Sequence, residues 1–360
     1  MSVPSTASFD LLALGEVLLR LDPGESRVRT SRQFTAWEGG GEYNVARGLR
    51  RCFGLRTGVL TAFADNEIGR LLEDFILQGG VDTTHVKWVP YDGIGRAVRN
   101  PINFTERGFG IRGAKGCVDR GHSAASQLKP GDYNWDEIFA NGGVRWLHTG
   151  GIFAGLSETT AQLTIEACEA AKRHGVTVSY DLNYRPSLWQ SRGGFPTAQA
   201  LNHRLAPYVD VMFGVLTDDE PAAIAGNDDP NDIFAAQSAA LQKGITGMLE
   251  RYPNIKVAAA TLRRVHTASR NDWGALAWMD GAFHRAKNYP HLDLMDRIGG
   301  GDGFVAGLVY GMLTGQTPQL SLDLGAAHGA LAMSTPGDTS MATLAEVLKL
   351  AQGGDAKVQR

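Results

Sequence analysis

Cysteine is scarce in this chain. Cys52, Cys117 and Cys168 are an odd number with no short spacing, which excludes a disulfide framework and a Cys-based zinc site and predicts reduced thiols. Long hydrophobic runs are also missing: LLALGEVLLRL is interrupted by Glu16 and Arg20 and is far too short to cross a bilayer. MSVPSTASFD has no basic segment leading into an apolar one, so no signal peptide is expected. Neither sign of charge dominates. At a net charge of −3 there is no basic footprint for nucleic acid or for an anionic membrane. The histidines show no metal-ligand spacing, and no repeat recurs at a fixed period. The first strand lacks the Gly-x-Gly-x-x-Gly turn of a dinucleotide-dependent oxidoreductase. These absences leave a cytoplasmic protein that handles small molecules, acidic ones included, since a few local arginines bind an anion whatever the net charge.

What is present is a 360-residue chain, 43% hydrophobic and 20% charged, enough for one large α/β unit with an appendage or for two domains. DLLALG (Asp10 to Gly15) reads as a buried strand feeding a loop, and EGGGEYNVARGLRRCFG as a glycine loop opening a helix. TGVLTAFADNEIGRLLEDFILQGGV gives a strand, a loop and a helix stopped by Gly79 and Gly80. From about Val86 to Gly121 the period is lost among Gly, Arg and aromatic residues, which predicts β-hairpins or loops forming a lid. Alternation then resumes. VRWLHTGG is a strand, and the helix after it is capped by Ser157 and ended by Gly175. VTVSYDLNYR, YVDVMFGV, VAAATL and ALAWMDG are further strands, the last two separated by a polar insertion, RRVHTASRND. Such repetition predicts a parallel sheet between helical layers, with ligands beyond the carboxyl ends of the strands.

Three clusters at those ends carry candidate chemistry. In DRIGGGDGFVAGLVYGML, the turn Gly299, Gly300, Gly301 at a helix start presents free N–H groups to an anion, and Asp302 stands where a base would accept an alcohol proton. A simple helix cap or an Asp-Gly turn accounts for the same residues. In EGGGEYNVA, Gly39 to Gly41 let a ligand lie on backbone and Asn44 offers an amide, or the stretch is a capped turn. In SYDLNYRPSLW, Asp181, Asn183 and Arg185 alternate and share one side if extended. Arg185 then either meets a carboxylate or phosphate or makes a surface ion pair. Arg120 has the same two readings, and His328 either packs in a helix of small residues or lines an adenine pocket.

Together these clusters resemble the ribokinase-like (PfkB) family of carbohydrate kinases along nearly the whole chain. The family signature, Asp-Thr-x-Gly-Ala-Gly-Asp, stands here as Asp296, Arg297, Ile298, Gly299, Gly300, Gly301, Asp302, so arginine replaces the threonine and glycine the alanine. GEVLLRLDP, DRGHSAASQL, DLNYRPSLW and STPGDTSM are most similar to 2-keto-3-deoxygluconate kinases within it. The resemblance implies one ribokinase-like domain over 1–360, a three-layer α/β/α sandwich with a mainly parallel sheet and a small β lid formed mainly by about 18–38 and 86–121. It implies Asp302 as base, Gly299 to Gly301 as anion hole, and Gly39, Gly40, Asn44, Arg120 and Arg185 at the sugar. The magnesium-linked Asn-x-x-Glu motif is altered to Thr217 through Glu220, leaving Glu220 as the metal-site candidate. An aromatic residue of the lid is replaced by Val118. Arg297 and His328 fall on the nucleotide side. The implied activity is ATP-dependent phosphorylation of a sugar or sugar acid, with Mg²⁺, a monovalent cation as a further option, and a homodimer. A neutral-sugar kinase such as a fructokinase, or a non-catalytic sugar- or nucleotide-binding protein, are the alternatives.

Overall fold

The computed structural model describes residues 8–141, 143–218, 232 and 234–354. Strand β1 (Leu11–Leu14) is followed by β2 (Leu18–Asp22), β3 (Thr35–Gly39) and helix α1 (Gly41–Arg51). Then come β4 (Thr57–Ala64), α2 (Glu67–Gln78), β5 (Val86–Val89), and a hairpin of β6 (Ile102–Glu106) and β7 (Lys115–Asp119). The middle runs through β8 (Trp146–Gly150), α3 (Gly151–Gly155), α4 (Glu158–Arg173), β9 (Thr177–Asp181), α5 (Pro186–Trp189), α6 (Gly194–Leu205) and β10 (Val211–Phe213). The last part holds α7 (Ala235–Arg251), β11 (Val257–Thr267), β12 (Arg270–Met279), β13 (Ala282–Arg285), β14 (Tyr289–Asp293), α8 (Gly300–Leu313), α9 (Pro318–Ala332) and α10 (Leu344–Ala351).

Among the described residues, β13-β12-β11-β10-β9-β8-β1-β4-β5 form one sheet in that order, with β14 also paired to β12. Every pair from β11 across to β5 is parallel, and the pairs made by β12 are antiparallel. Strands buried on both faces read as continuous apolar runs, and LLAL shows how one run feeds two cores. Leu12 and Leu14 join the cluster that includes Leu163, Leu201 and Ile245 of α4, α6 and α7, while Leu11 and Ala13 join Leu49, Val309 and Ala327 of α1, α8 and α9. Helices therefore cover both faces. Ser157 caps α4 as the sequence predicts, its Oγ accepting from the N–H of Thr160 at 3.1 Å. No helix among the described residues is long and apolar enough to cross a membrane.

A second, four-stranded sheet in the order β3-β2-β6-β7 stands apart from the first. Two expectations need correction here. Val86–Val89 lies outside the small sheet: it pairs parallel with Thr61–Ala64 at the edge of the main one, and its half-buried VKWV is too short to reveal a period. RRVHTASRND is no insertion between strands. It is the outer end of the β11–β12 hairpin, paired from Ala258↔Trp278 out to Thr267↔Arg270, where exposed strand ends need no apolar residues.

Candidate active site

The cleft of about 700 Å³ lies where the ends of β1 and β9 and the starts of α1 and α8 face the small sheet. Asp302 is the third residue of α8. The N-cap is Gly299 and no side chain caps this helix, so the plain capping reading of Asp302 fails. Its carboxylate instead accepts a 2.7 Å hydrogen bond from Asn44 Nδ2, which joins the two glycine loops, 258 positions apart, at one point. Burial pushes the Asp302 pKa up to about 7; the Asn44 bond lowers it, and the charges of Asp181 and Asp338 raise it further.

Gly299 sits at φ 80° and its backbone packs on the Asp338 carbonyl, with no room for a side chain. Gly301 differs. A Cβ there would meet nothing within 4 Å and would project into the cleft, so packing does not explain that glycine. The first turn of α8 leaves its N–H groups without intrahelical acceptors, and they open on this space at the positive end of the helix.

Asp181, pushed up to about 6 by burial against the pull of Arg185, also lines the cleft. The extended alternation expected after it does not persist, because Asn183 turns to φ 30° and donates its N–H to Asp181 Oδ1 at 3.2 Å. Arg185 nevertheless reaches the cleft, as does Arg120, whose Nε lies 3.4 Å from Glu16 Oε2. Gly40 belongs to the wall together with Gly41, whereas Gly39 stands behind it against the Asp338 carboxylate. Arg297 lines the same space beside Arg263.

His328 is not at the cleft. It is 0% exposed between α1, α8 and α9, its Nδ1 2.7 Å from the Gly303 carbonyl and its ring edge-on to Phe53. Burial lowers its pKa to about 4, so it is a neutral packing residue, and the adenine-pocket reading is corrected. Glu220 lies outside the described residues.

A family model for pfkB family carbohydrate kinases matches residues 8–250 and 254–344. The chain belongs to that family. It is 27% identical over 357 residues, 98% of this chain and 99% of the other, to a 2-dehydro-3-deoxygalactonokinase of Haloferax volcanii. It is 25% identical to a 5-dehydro-2-deoxygluconokinase of Geobacillus thermodenitrificans, covering 91% of this chain and 88% of the relative. Its fold superposes on the crystal structure of a 2-dehydro-3-deoxygluconokinase from Thermotoga maritima with a TM-score of 0.83 at 31% identity, over 95% of this chain and 99% of the other.

For this pfkB family kinase, sequence reading missed several cleft residues. Thr261 comes from the strand VAAATL, Arg263 from the stretch after it read as an insertion, and Asn103 and Thr105 from the hairpin read only as a lid. Glu42, two residues before Asn44 and buried, was also passed over, although it does not line the cleft. Burial raises it to about 8, with the charges of Asp302 and Asp181 adding to the rise, so it is protonated at neutral pH.

Proposed function

We propose that this carbohydrate kinase transfers the γ-phosphoryl group of ATP to a hydroxyl of a 2-keto-3-deoxy sugar acid, 2-keto-3-deoxygluconate before others. The observation that carries the reading is one cleft lined both by Asp302 at the α8 turn and by Arg120 and Arg185. The relatives' named substrates, dehydro-deoxy sugar acids, support it.

In this account Asp302, ionised in part at neutral pH and oriented by Asn44, takes the proton of the attacking hydroxyl. The N–H groups of the turn from Gly299 hold the equatorial oxygens of the moving phosphoryl, and Arg297 gives the phosphates a positive partner. Arg185 meets the sugar's carboxylate, helped by Arg120, while Gly40 lets the sugar approach backbone. Hard oxygen donors suit magnesium, and the Asp181 carboxylate at the cleft would offer one while Asp302 acts as base. The ion, bound with ATP, supplies charge against the developing negative oxygens. The small sheet closes on the cleft through Asn103, Thr105 and Val118 and excludes water as a lid. Its edge strand β7 is exposed throughout, with Phe109 and Ile111 in solvent beside it, which supports a homodimer through that edge.

An ADP-release screen over 2-keto-3-deoxy acids, fructose, ribose and nucleosides should give its highest kcat/KM with 2-keto-3-deoxygluconate. Arg185→Leu should cut that value by about 10- to 100-fold, the worth of a charged hydrogen-bonded contact, without a comparable change for a neutral sugar. A response to neutral sugars alone would overturn the acid reading.

The two glycines separate stability from function. Gly299→Ala should destabilise the fold by at least ~1–2 kcal/mol in urea titrations, because its φ is left-handed and the Asp338 carbonyl blocks the added carbon. Gly301→Ala should leave unfolding unchanged yet raise the KM for ATP, since its methyl group enters the phosphate cradle. Unimpaired kinetics in Gly301→Ala would refute the cradle.

A further inference from the structure

Three side chains that phosphoryl transfer does not use converge at the outer end of the β11–β12 hairpin. His266, Asp272 and His291 each offer one ligand atom, and these atoms lie within 4.8 Å of one another. The sequence hides the set, because the three residues share no metal-ligand spacing. Each sits on an irregularity of the backbone. His266 lies where the β11–β12 register slips between Val265 and Thr267, and Asp272 where the β12–β14 register slips between Asn271 and Trp273. His291 adopts φ 53°, a left-handed conformation that histidine pays for in strain. Register slips re-aim side chains, and here three departures from regular strand aim three donors at one point.

Asp272 organises the group. Its Oδ2 lies 2.8 Å from His266 Nε2, and its Oδ1 accepts the backbone N–H of His291 at 2.7 Å, fixing the strained turn. His291 Nδ1 is 3.9 Å from the same carboxylate, and the two imidazole rings are 4.9 Å apart. Asp272 is 2% exposed, whereas the His291 side chain is 70% exposed and free to rotate onto a bound ion.

We propose that His266, Asp272 and His291 bind one divalent transition-metal ion, with zinc the best match. Two imidazole nitrogens and a carboxylate oxygen are a borderline-soft set that suits zinc and discriminates against magnesium. Three protein ligands leave a fourth position to water on the open side. The ion takes the place of the 2.8 Å contact between His266 and Asp272 and joins β11 to β14. The hairpin tip beside it clasps the small sheet, Ala268 donating its N–H to the Gly110 carbonyl at 2.8 Å and Ser269 Oγ accepting from Gly110 N–H at 3.1 Å. Beyond β14 the chain runs directly to Asp296 and the glycine turn. The site therefore braces the hairpin that holds the lid, and it is separate from the magnesium of the reaction.

The test uses the full-length, chelator-stripped protein without a histidine tag. Native mass spectrometry and equilibrium titration should find one zinc per chain, and cobalt should give visible d–d absorption with millimolar magnesium present. His291→Gly, which relieves the strained φ and removes one ring, should weaken zinc binding by more than the ~10- to 100-fold that outer-shell changes alone cost, and should abolish the cobalt signature. His266→Ala should do the same while both variants keep the wild-type circular dichroism. No zinc uptake by the wild type, uptake unchanged in both variants, or displacement by magnesium would each overturn the proposal.

Discussion

Asp302→Asn will lower kcat by about 10²- to 10⁴-fold, the range a positioned general base contributes, while ATP and sugar still bind. Asparagine keeps the shape of the side chain and can still accept the Asn44 hydrogen bond, so the loss isolates proton transfer. The wild-type enzyme needs the ionised carboxylate, so kcat/KM should rise with pH through an inflection near 7, the value to which burial pushes this group, and that inflection should vanish in the variant. Stability moves the other way. A carboxyl raised from 3.8 to about 7 binds its proton more tightly in the folded chain, so folding loses stability as pH rises between those values. Removing the charge should therefore raise the melting temperature, more at about pH 8 than at about pH 5. A variant with kcat within about tenfold of wild type, below the least that a general base contributes, would remove Asp302 from the role of base.

The parallel sheet and its helical layers were legible because parallel strands are apolar on both faces and their helices carry clear stops. DLLALG, the Ser157 cap and Gly79 after α2 all stand where the sequence puts them. What escaped has a common cause. Val86–Val89 and the outer part of the β11–β12 hairpin are strands half open to solvent, and their residues answer to partners on the other strand rather than to a period of their own.

At the cleft, the pairing of Asp302 with Asn44 follows from two glycine motifs, whose backbone demands leave a mark in sequence. Charge burial leaves none. Nothing in EGGGEYNVA or SYDLNYR shows how far burial raises Glu42 and Asp181, and His328 reads equally as a packed residue or as the lining of an adenine pocket. Only packing decides that Ala306 and Gly48 close over that histidine and seal it away from the cleft. A motif fixes where backbone must bend, and the dielectric around a side chain is set by residues from elsewhere in the chain.

The largest such long-range effect is at Arg20. Arg20→Met will cost about 3–5 kcal/mol of stability, as expected when one member of a buried ion group is removed and its partners are left charged. The guanidinium is 0% exposed and bonds to Asp296 and to Asp338, 318 positions away, with Asp22 at 3.4 Å. It thus ties the small sheet to the segment before the glycine turn and to the loop after α9. Asp22 keeps a second partner, Arg107 at 3.0 Å, whereas among the described residues the cation that pairs with Asp296 and Asp338 is Arg20. Burial already holds Asp338 up at about 6 against the pull of Arg20, and without that pull its folded pKa rises further. A raised carboxyl penalises folding above its pKa and is relieved below it. The deficit of Arg20→Met should therefore be largest at about pH 8 and shrink by about pH 5 in urea titrations. Because Asp296 Oδ1 also accepts the Ile298 N–H at 3.2 Å, the loosened carboxylate should slacken the turn and lower kcat as well. Adding Asp296→Asn and Asp338→Asn to Arg20→Met should recover much of the stability, since a neutral group no longer needs the cation. An equal deficit at both pH values, or a triple variant no more stable than the single one, would mean that Arg20 acts by filling space rather than by neutralising the acids behind the turn.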